Sequence, residues 1–125
     1  MCSSDLEDGQ EHADYLAKKM VELRIFEDEN GQMNRSLLNV GGQCLIVPNF
    51  TLYANAKKGR RPSFTDSMAP DKASMLFDYF VAVVKELVGK VETGRFGTHM
   101  LVDIQNDGPV TLILDTNEIM PQKPR

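Results

Sequence analysis

The side chains that ordinarily carry acid–base or nucleophilic chemistry are few, because the sequence has two histidines and two cysteines in 125 residues. His12 falls on the outer edge of a helical pattern and His99 within an apolar run. Neither sits beside a Cys, His or Asp at metal-ligand spacing, so no metal is expected, and His99 reads as an ordinary hydrogen-bonded histidine rather than a general base. Cys2 and Cys44 are far apart, one near a terminus and one in an apolar run, as suits two free thiols in a reducing compartment. Thr51 and Thr111 carry hydroxyls near the ends of β-rich runs, but a nucleophilic threonine needs an adjacent base, such as its own free amine, and neither begins the chain. Gly-x-Ser-x-Gly, Walker and Gly-x-Gly-x-x-Gly patterns are absent, so acyl-serine chemistry, nucleotide hydrolysis and dinucleotide redox lose their main support and no cofactor is expected. A site in this chain would work mainly through backbone dipoles and positioning.

Two stretches could supply such a site. Asn106-Asp107-Gly108-Pro109 stands between the apolar runs 100–104 and 110–114. Asn and Asp tolerate unusual backbone angles, Gly lacks Cβ and Pro fixes its own φ, so the four make a tight corner. A plain hairpin loop and a functional corner both remain open on these residues. Lys57, Lys58, Arg60 and Arg61 fall within five positions of a chain whose net charge is −4. That balance argues against coating nucleic acid by bulk charge, and leaves the cluster as a solvated loop or a local phosphate contact.

The elements that must hold these residues follow from periodicity. Residues 1–10 are polar and read as a leader. Ala13, Leu16, Ala17, Met20 and Leu23 recur at three- and four-residue spacing, which predicts an amphipathic helix over 11–23. Glu27 to Gln32 reads as a polar turn centred on Asn30-Gly31. Gln43 to Val47 predicts a buried strand, and Asn49 to Tyr53 a second β-rich run after a bend at Pro48. Pro70 is placed to start a helix, the apolar pairs from Met75 to Leu87 continue it, and Gly89 ends it. Val91 to Gly94 is a brief extended piece. Strands are expected over 99–104 and 110–114, and a frayed tail over 117–125. With hairpin signals stronger than βαβ spacing, the expected fold is α+β: a mixed, layered, barrel-like sheet with two main helices packed on it, all in one domain over 1–125. At 42% hydrophobic and 26% charged residues the chain reads as soluble, with no apolar run near the ~20 residues a membrane span needs and no signal peptide at its start. A cytoplasmic location is expected.

Five motifs in order are far more specific than any one of them. Leu23 to Asp28, Phe50-Thr51-Leu52-Tyr53-Ala54, Lys58 to Phe64, Gly94-Arg95-Phe96-Gly97 and Asn106 to Thr111 together resemble the D-aminoacyl-tRNA deacylases. The resemblance runs from about Ala13 to Thr116. It implies a homodimeric enzyme, without metal or cofactor, that hydrolyses the ester between a D-amino acid, or glycine, and the 3′-terminal adenosine of tRNA, as proofreading in translation. It implies that Asn49, Phe50 and Thr51 hold the aminoacyl end and the reacting carbonyl, with a water attacking. Asn106, Gly108, Pro109, Val110 and Thr111 would form the chiral filter, with a cis Gly108–Pro109 bond whose carbonyls reach the partner's pocket. Lys57, Lys58, Arg60 and Arg61 would contact the acceptor stem. Pro48-Asn49 stand where the family usually has Ser-Gln, so a role of that serine is not carried over. The family also begins with further β-strands ahead of its first helix, which implies that N-terminal strands are missing here. The alternatives are a non-catalytic RNA- or DNA-binding module on the same scaffold, or an inactive truncated form.

Overall fold

A computed structural model describes residues 4, 8–108 and 110–121. Its elements are helix α1 (Gln10–Glu22), strands β1 (Phe26–Glu27) and β2 (Met33–Arg35), helix α2 (Leu37–Val40), strand β3 (Cys44–Ile46), a 3-10 turn (Phe50–Tyr53), helix α3 (Pro70–Val88), strand β4 (Val91–Thr93) and helix α4 (Thr116–Ile119). Among the described residues the result is a mixed α/β fold with two small sheets, each of two strands.

Helix α1 starts at Gly9, whose N–H donates to His12 Nδ1 at 2.8 Å, so His12 serves as a cap. Its inward face is Ala13, Ala17 and Val21, a four-residue repeat of small side chains that lets α3 approach closely. Helix α3 answers with Ala73, Phe77, Phe80 and Val84, and Ile46 of β3 and Leu37 of α2 complete the core. Val21 and Val84 are fully buried, each such side chain contributing about 1.5–3 kcal/mol on removal from water. At the rim the Tyr79 hydroxyl donates to Asp14 Oδ1 at 2.7 Å, and this bond pushes the Tyr79 ionisation up.

The sequence-based reading of both long helices, with Pro70 opening α3 and Gly89 closing it at φ 89°, matches the structure to within a residue or two. The Asn30-Gly31 turn also holds. It joins β1 and β2 as an antiparallel hairpin, with Asp28 Oδ1 accepting from the Asn30 and Gln32 N–H groups and Asp28 Oδ2 from the Asn34 amide.

Elsewhere the structure departs from expectation. The strands β3 and β4 pair in parallel across α3, so the βαβ unit that weak spacing argued against is the central one. Its crossover includes 3-10 and irregular segments, which obscured the spacing. The run 50–53 is a 3-10 turn instead of a strand: Asn49 Oδ1 accepts from the Thr51 N–H at 3.1 Å and from the Thr51 hydroxyl, which closes the backbone on itself. Segments 99–104 and 110–114 carry no strand pairing. Strand composition supplies no ladder by itself, and Leu101, Ile104, Leu112 and Ile113 stand 90%, 71%, 56% and 89% exposed with no neighbouring strand among the described residues. Two short helices went unseen. In α2, Ser36 caps Asn39 reciprocally and Gly41 ends the helix at φ 63°. In α4, capped by Asp115, residues placed in a frayed tail dock on α1 through the Tyr15 hydroxyl, which donates to the Ile119 carbonyl at 3.0 Å.

Candidate functional site

The parallel pair sets the site. Ligands of sheets with parallel strands sit beyond the carboxyl ends of the strands, because the chain must turn there and leaves backbone groups unpaired. Beyond Ile46 the chain runs Val47-Pro48-Asn49-Phe50-Thr51; beyond Thr93 it runs through Gly94 to 96–102. These two segments are the walls of an open cleft of about 480 Å3, lined by Val47 to Thr51 on one side and by Phe96 to Met100 and Val102 on the other.

Each wall is anchored. Val47 and Pro48 are buried, and Gly94 N–H donates to the Ile46 carbonyl at 2.8 Å, tying the start of the second wall to the end of β3. The space beside Gly94 is full: a Cβ there would lie 2.8 Å from Met100 Sδ, 3.2 Å from Pro48 Cδ and 3.3 Å from Val47 Cγ1. Phe96 packs on Phe77 of α3 with ring centroids 6.4 Å apart. The turn after it is held by Thr98, whose N–H and hydroxyl both donate to the Arg95 carbonyl, and Gly97 supplies the left-handed residue at φ 72°.

On the opposite wall, Asn49 takes the Thr51 N–H and hydroxyl, which spends both on the turn. The Phe50 carbonyl accepts from the Ser67 hydroxyl at 2.9 Å. The Phe50 N–H, first in the turn, finds no acceptor among the described residues, and stands as the donor this wall has to offer. Asn49, Phe50 and Thr51 are thus brought together at the cleft. So is His99, expected as an ordinary hydrogen-bonded histidine of a strand and found in the second wall, on a segment without strand pairing. The sequence signal for that wall is the Gly94-Arg95-Phe96-Gly97 motif, whose last two residues begin it.

The corner is elsewhere. Asn106, Gly108, Val110 and Thr111 are exposed and none lines this cleft. An added Cβ at Gly108 would run into the Val110 backbone nitrogen, so the chain is tightly folded there. Pro109, with the cis bond expected before it, lies outside the described residues. Lys57, Lys58, Arg60 and Arg61 are exposed on a loop closed by the Asn55–Ser63 bridge. No group of three His, Cys, Asp or Glu that could hold a metal stands together among the described residues, and no helix there is long and apolar enough to cross a membrane. Cys44, the first residue of β3, is half-buried, and burial pushes its thiol up.

Known proteins with related sequences share this framework. A family profile described as D-Tyr-tRNA(Tyr) deacylase matches residues 2–115. A D-aminoacyl-tRNA deacylase of Thermosipho africanus is 53% identical over 113 residues, covering 90% of this chain and 76% of that protein. One of Clostridium botulinum is 50% identical over 112 residues, with 90% and 75% covered. Among solved structures, the c-Myc DNA Unwinding Element Binding Protein aligns with a TM-score of 0.81 at 33% identity, over 89% of this chain and 76% of that one. A probable eukaryotic D-amino acid tRNA deacylase aligns at 0.67 and 21% identity, over 78% and 72%, and shares the fold.

Proposed function

The chain belongs to the D-Tyr-tRNA(Tyr) deacylase family, and on that footing we propose that it hydrolyses the ester bond of D-aminoacyl-tRNA, releasing the D-amino acid and free tRNA in the cytoplasm as proofreading in translation. The observation that carries this reading is the cleft beyond β3 and β4, whose one wall is Asn49-Phe50-Thr51.

The chemistry follows from what that wall contains. Ester hydrolysis places negative charge on the carbonyl oxygen as water adds, and a preorganised N–H stabilises that oxygen without reorganising. The Phe50 N–H, unspent among the described residues, is the donor suited to it, because the Thr51 N–H is already held by Asn49. Water adds to the carbonyl carbon, the bond to the ribose oxygen breaks, and that oxygen leaves with a proton, the neighbouring ribose hydroxyl assisting. Asn49 and Thr51 act by holding the turn in shape. Apart from His99 the residues that line the cleft carry no side-chain base, which suits a reaction that draws proton transfer from the substrate.

Chiral selection is assigned to the corner 106–111, acting in the cleft of a second subunit within a homodimer. The carbonyls around Gly108 and Pro109 reject an L side chain by clash and by leaving polar groups unpaired. The exposed apolar residues of 99–104 and 110–114 supply surface for that interface, and their pairing would close the small sheets into a layered, barrel-like core. Residues 1–125 act as one deacylase-like domain, and Lys57, Lys58, Arg60 and Arg61 face the acceptor end of the tRNA.

Following ester loss from D-tyrosyl- and L-tyrosyl-tRNA tests the reading. The D ester is expected to be cleared and the L ester spared; an unhydrolysed D ester refutes it. Gly108→Ala is expected to erode the discrimination, and Thr51→Ala to slow the reaction only partly. Total loss with Thr51→Ala in a folded protein would return that hydroxyl to the role of nucleophile. A second reading, a nucleic-acid-binding module without catalysis, is favoured by the basic loop and by the likeness to a protein named for binding a DNA unwinding element. Salt-dependent RNA or DNA binding that persists without ester loss would select it.

A further inference from the structure

We propose that Phe64 and the basic loop 57–61 form one docking site for the nucleotides that precede the terminal adenosine of the RNA, Phe64 stacking on a base and the cations taking the phosphates. This rests on the cleft being the seat of the aminoacylated adenosine. Phe64 stands 37% exposed, on a loop, with its centroid 5.3 Å from that of Phe50 and the planes at 62°. Edge-on contact does not use both faces of either ring, and both residues keep exposed surface, which is what a stacking platform needs. Phe50 itself lines the cleft and Phe64 does not, so the aromatic pair links the cleft to surface outside it.

The cations are carried on a closed loop that directly precedes it. Asn55 and Ser63 exchange two backbone hydrogen bonds, at 2.6 and 2.8 Å, which closes the loop into a short hairpin, and Asn55 Oδ1 accepts from the Lys57 N–H at 2.9 Å. Phe64 is the residue that directly follows this closure, so ring and cations share one scaffold. The Ser67 hydroxyl, bonded to the Phe50 carbonyl, ties the far end of the segment to the cleft turn. All four cations are exposed, and among the described residues no carboxylate lies within ion-pair distance of any of them. In a chain of net charge −4 these are unspent positive charges, and neutralising phosphates releases counterions from the RNA. An exposed aromatic ring and unpaired cations on one loop are the combination that binds single strands without reading sequence.

The test uses two D-tyrosyl esters with the full chain: D-tyrosyl-tRNA, and D-tyrosyl-adenosine, which fills the cleft and has no preceding nucleotide. Phe64→Ala is expected to raise KM for the tRNA ester roughly 10- to 100-fold, the size of one lost base–aromatic stack, and to leave the adenosine ester within twofold. Phe64→Tyr keeps the ring and is expected to restore the tRNA ester. Replacing Arg60 and Arg61 by Gln should flatten the salt dependence of KM for tRNA alone. Equal losses on both esters would mean that Phe64 acts only by packing on Phe50, and no loss on either would remove it from binding; each overturns the proposal. So would equal KM values for the two esters in the unmodified protein. If the unmodified protein hydrolyses neither, the reading of the cleft fails, and the loop is then judged by fluorescence anisotropy of a labelled single-stranded RNA. Weakening by Phe64→Ala supports the docking site there, and unchanged binding refutes it.

Discussion

Gly94 separates the two walls of the cleft, and replacing it by alanine tests whether that separation matters. Its φ is not in the left-handed region, so alanine meets no backbone strain and the perturbation is purely steric. The new methyl would lie 2.8 Å from Met100 Sδ, 3.2 Å from Pro48 Cδ and 3.3 Å from Val47 Cγ1. Pro48 and Val47 are buried and pinned by β3, whereas Met100 has three rotatable bonds, so Met100 moves. To recover ordinary contact at 3.4 Å it must retreat about 0.6 Å, along a wall that lines the cleft. Overpacking costs about 1–3 kcal/mol. The stiffer unfolded chain offsets roughly 0.4–1 kcal/mol of that. The net is a destabilisation of about 0.5–2 kcal/mol, or roughly 2–8 °C in Tm for a chain of this size. Catalysis is expected to suffer more, because displacing a binding wall by up to ~1 Å costs as much as 100-fold. The assay pairs thermal unfolding with kcat/KM for D-tyrosyl-tRNA in Gly94→Ala, Met100→Ala and the double variant. Met100→Ala removes the clashing atom, so the double variant should recover about 1 kcal/mol over the sum of the singles. Additivity within about 0.5 kcal/mol, or an unchanged kcat/KM in the folded single variant, would refute the reasoning.

Three further outcomes follow from particular contacts. Asn49→Asp keeps an acceptor for the Thr51 N–H and should retain most activity, whereas Asn49→Ala opens the 3-10 turn and should cost roughly 1 kcal/mol locally, read as lost amide protection at Thr51 and a lower kcat at similar KM. The Asn34 amide, and then the Gln32 N–H, hold the Asp28 carboxyl below its ordinary value, so its support of the β1–β2 hairpin is present above the unfolded carboxylate range and lost as pH falls through the lowered folded value. Amide shifts of Asn30 and Gln32, followed by NMR from pH 5 to 2, should collapse together there, and Asp28→Ala should show the collapsed shifts at every pH. Burial holds the Cys44 thiol protonated to higher pH, so in a Cys2→Ser background iodoacetamide at pH 8 should alkylate the native protein more slowly than the urea-unfolded chain, and stability should fall as pH rises past the unfolded thiol value. An equal rate in the two states would contradict the placement of Cys44.

What the sequence by itself determined is what depends on local spacing. Ala13 and Ala17 at a four-residue interval, Pro70 and Gly89 at the ends of α3, and the Asn30-Gly31 turn are each written in neighbouring residues, and each appears where that spacing puts it, whereas Val21, outside the expected stripe that ran to Leu23, entered the core only through packing on α3. The five ordered motifs determined the family in the same way. The tertiary structure decided what depends on partners distant along the chain. The parallel pairing of β3 with β4 joins segments 45 residues apart or more, and it is this pairing that places Phe50 opposite His99 and Met100. The strand-like composition of 99–104 and 110–114 yielded no strand, because a ladder needs a neighbour that composition does not provide. Likewise Phe50-Thr51-Leu52-Tyr53 has β-rich residues, yet one short side chain, Asn49, satisfies the Thr51 N–H locally and bends the run into a turn. Local hydrogen bonding overruled propensity there, and so left the Phe50 N–H without an acceptor among the described residues at the edge of the cleft.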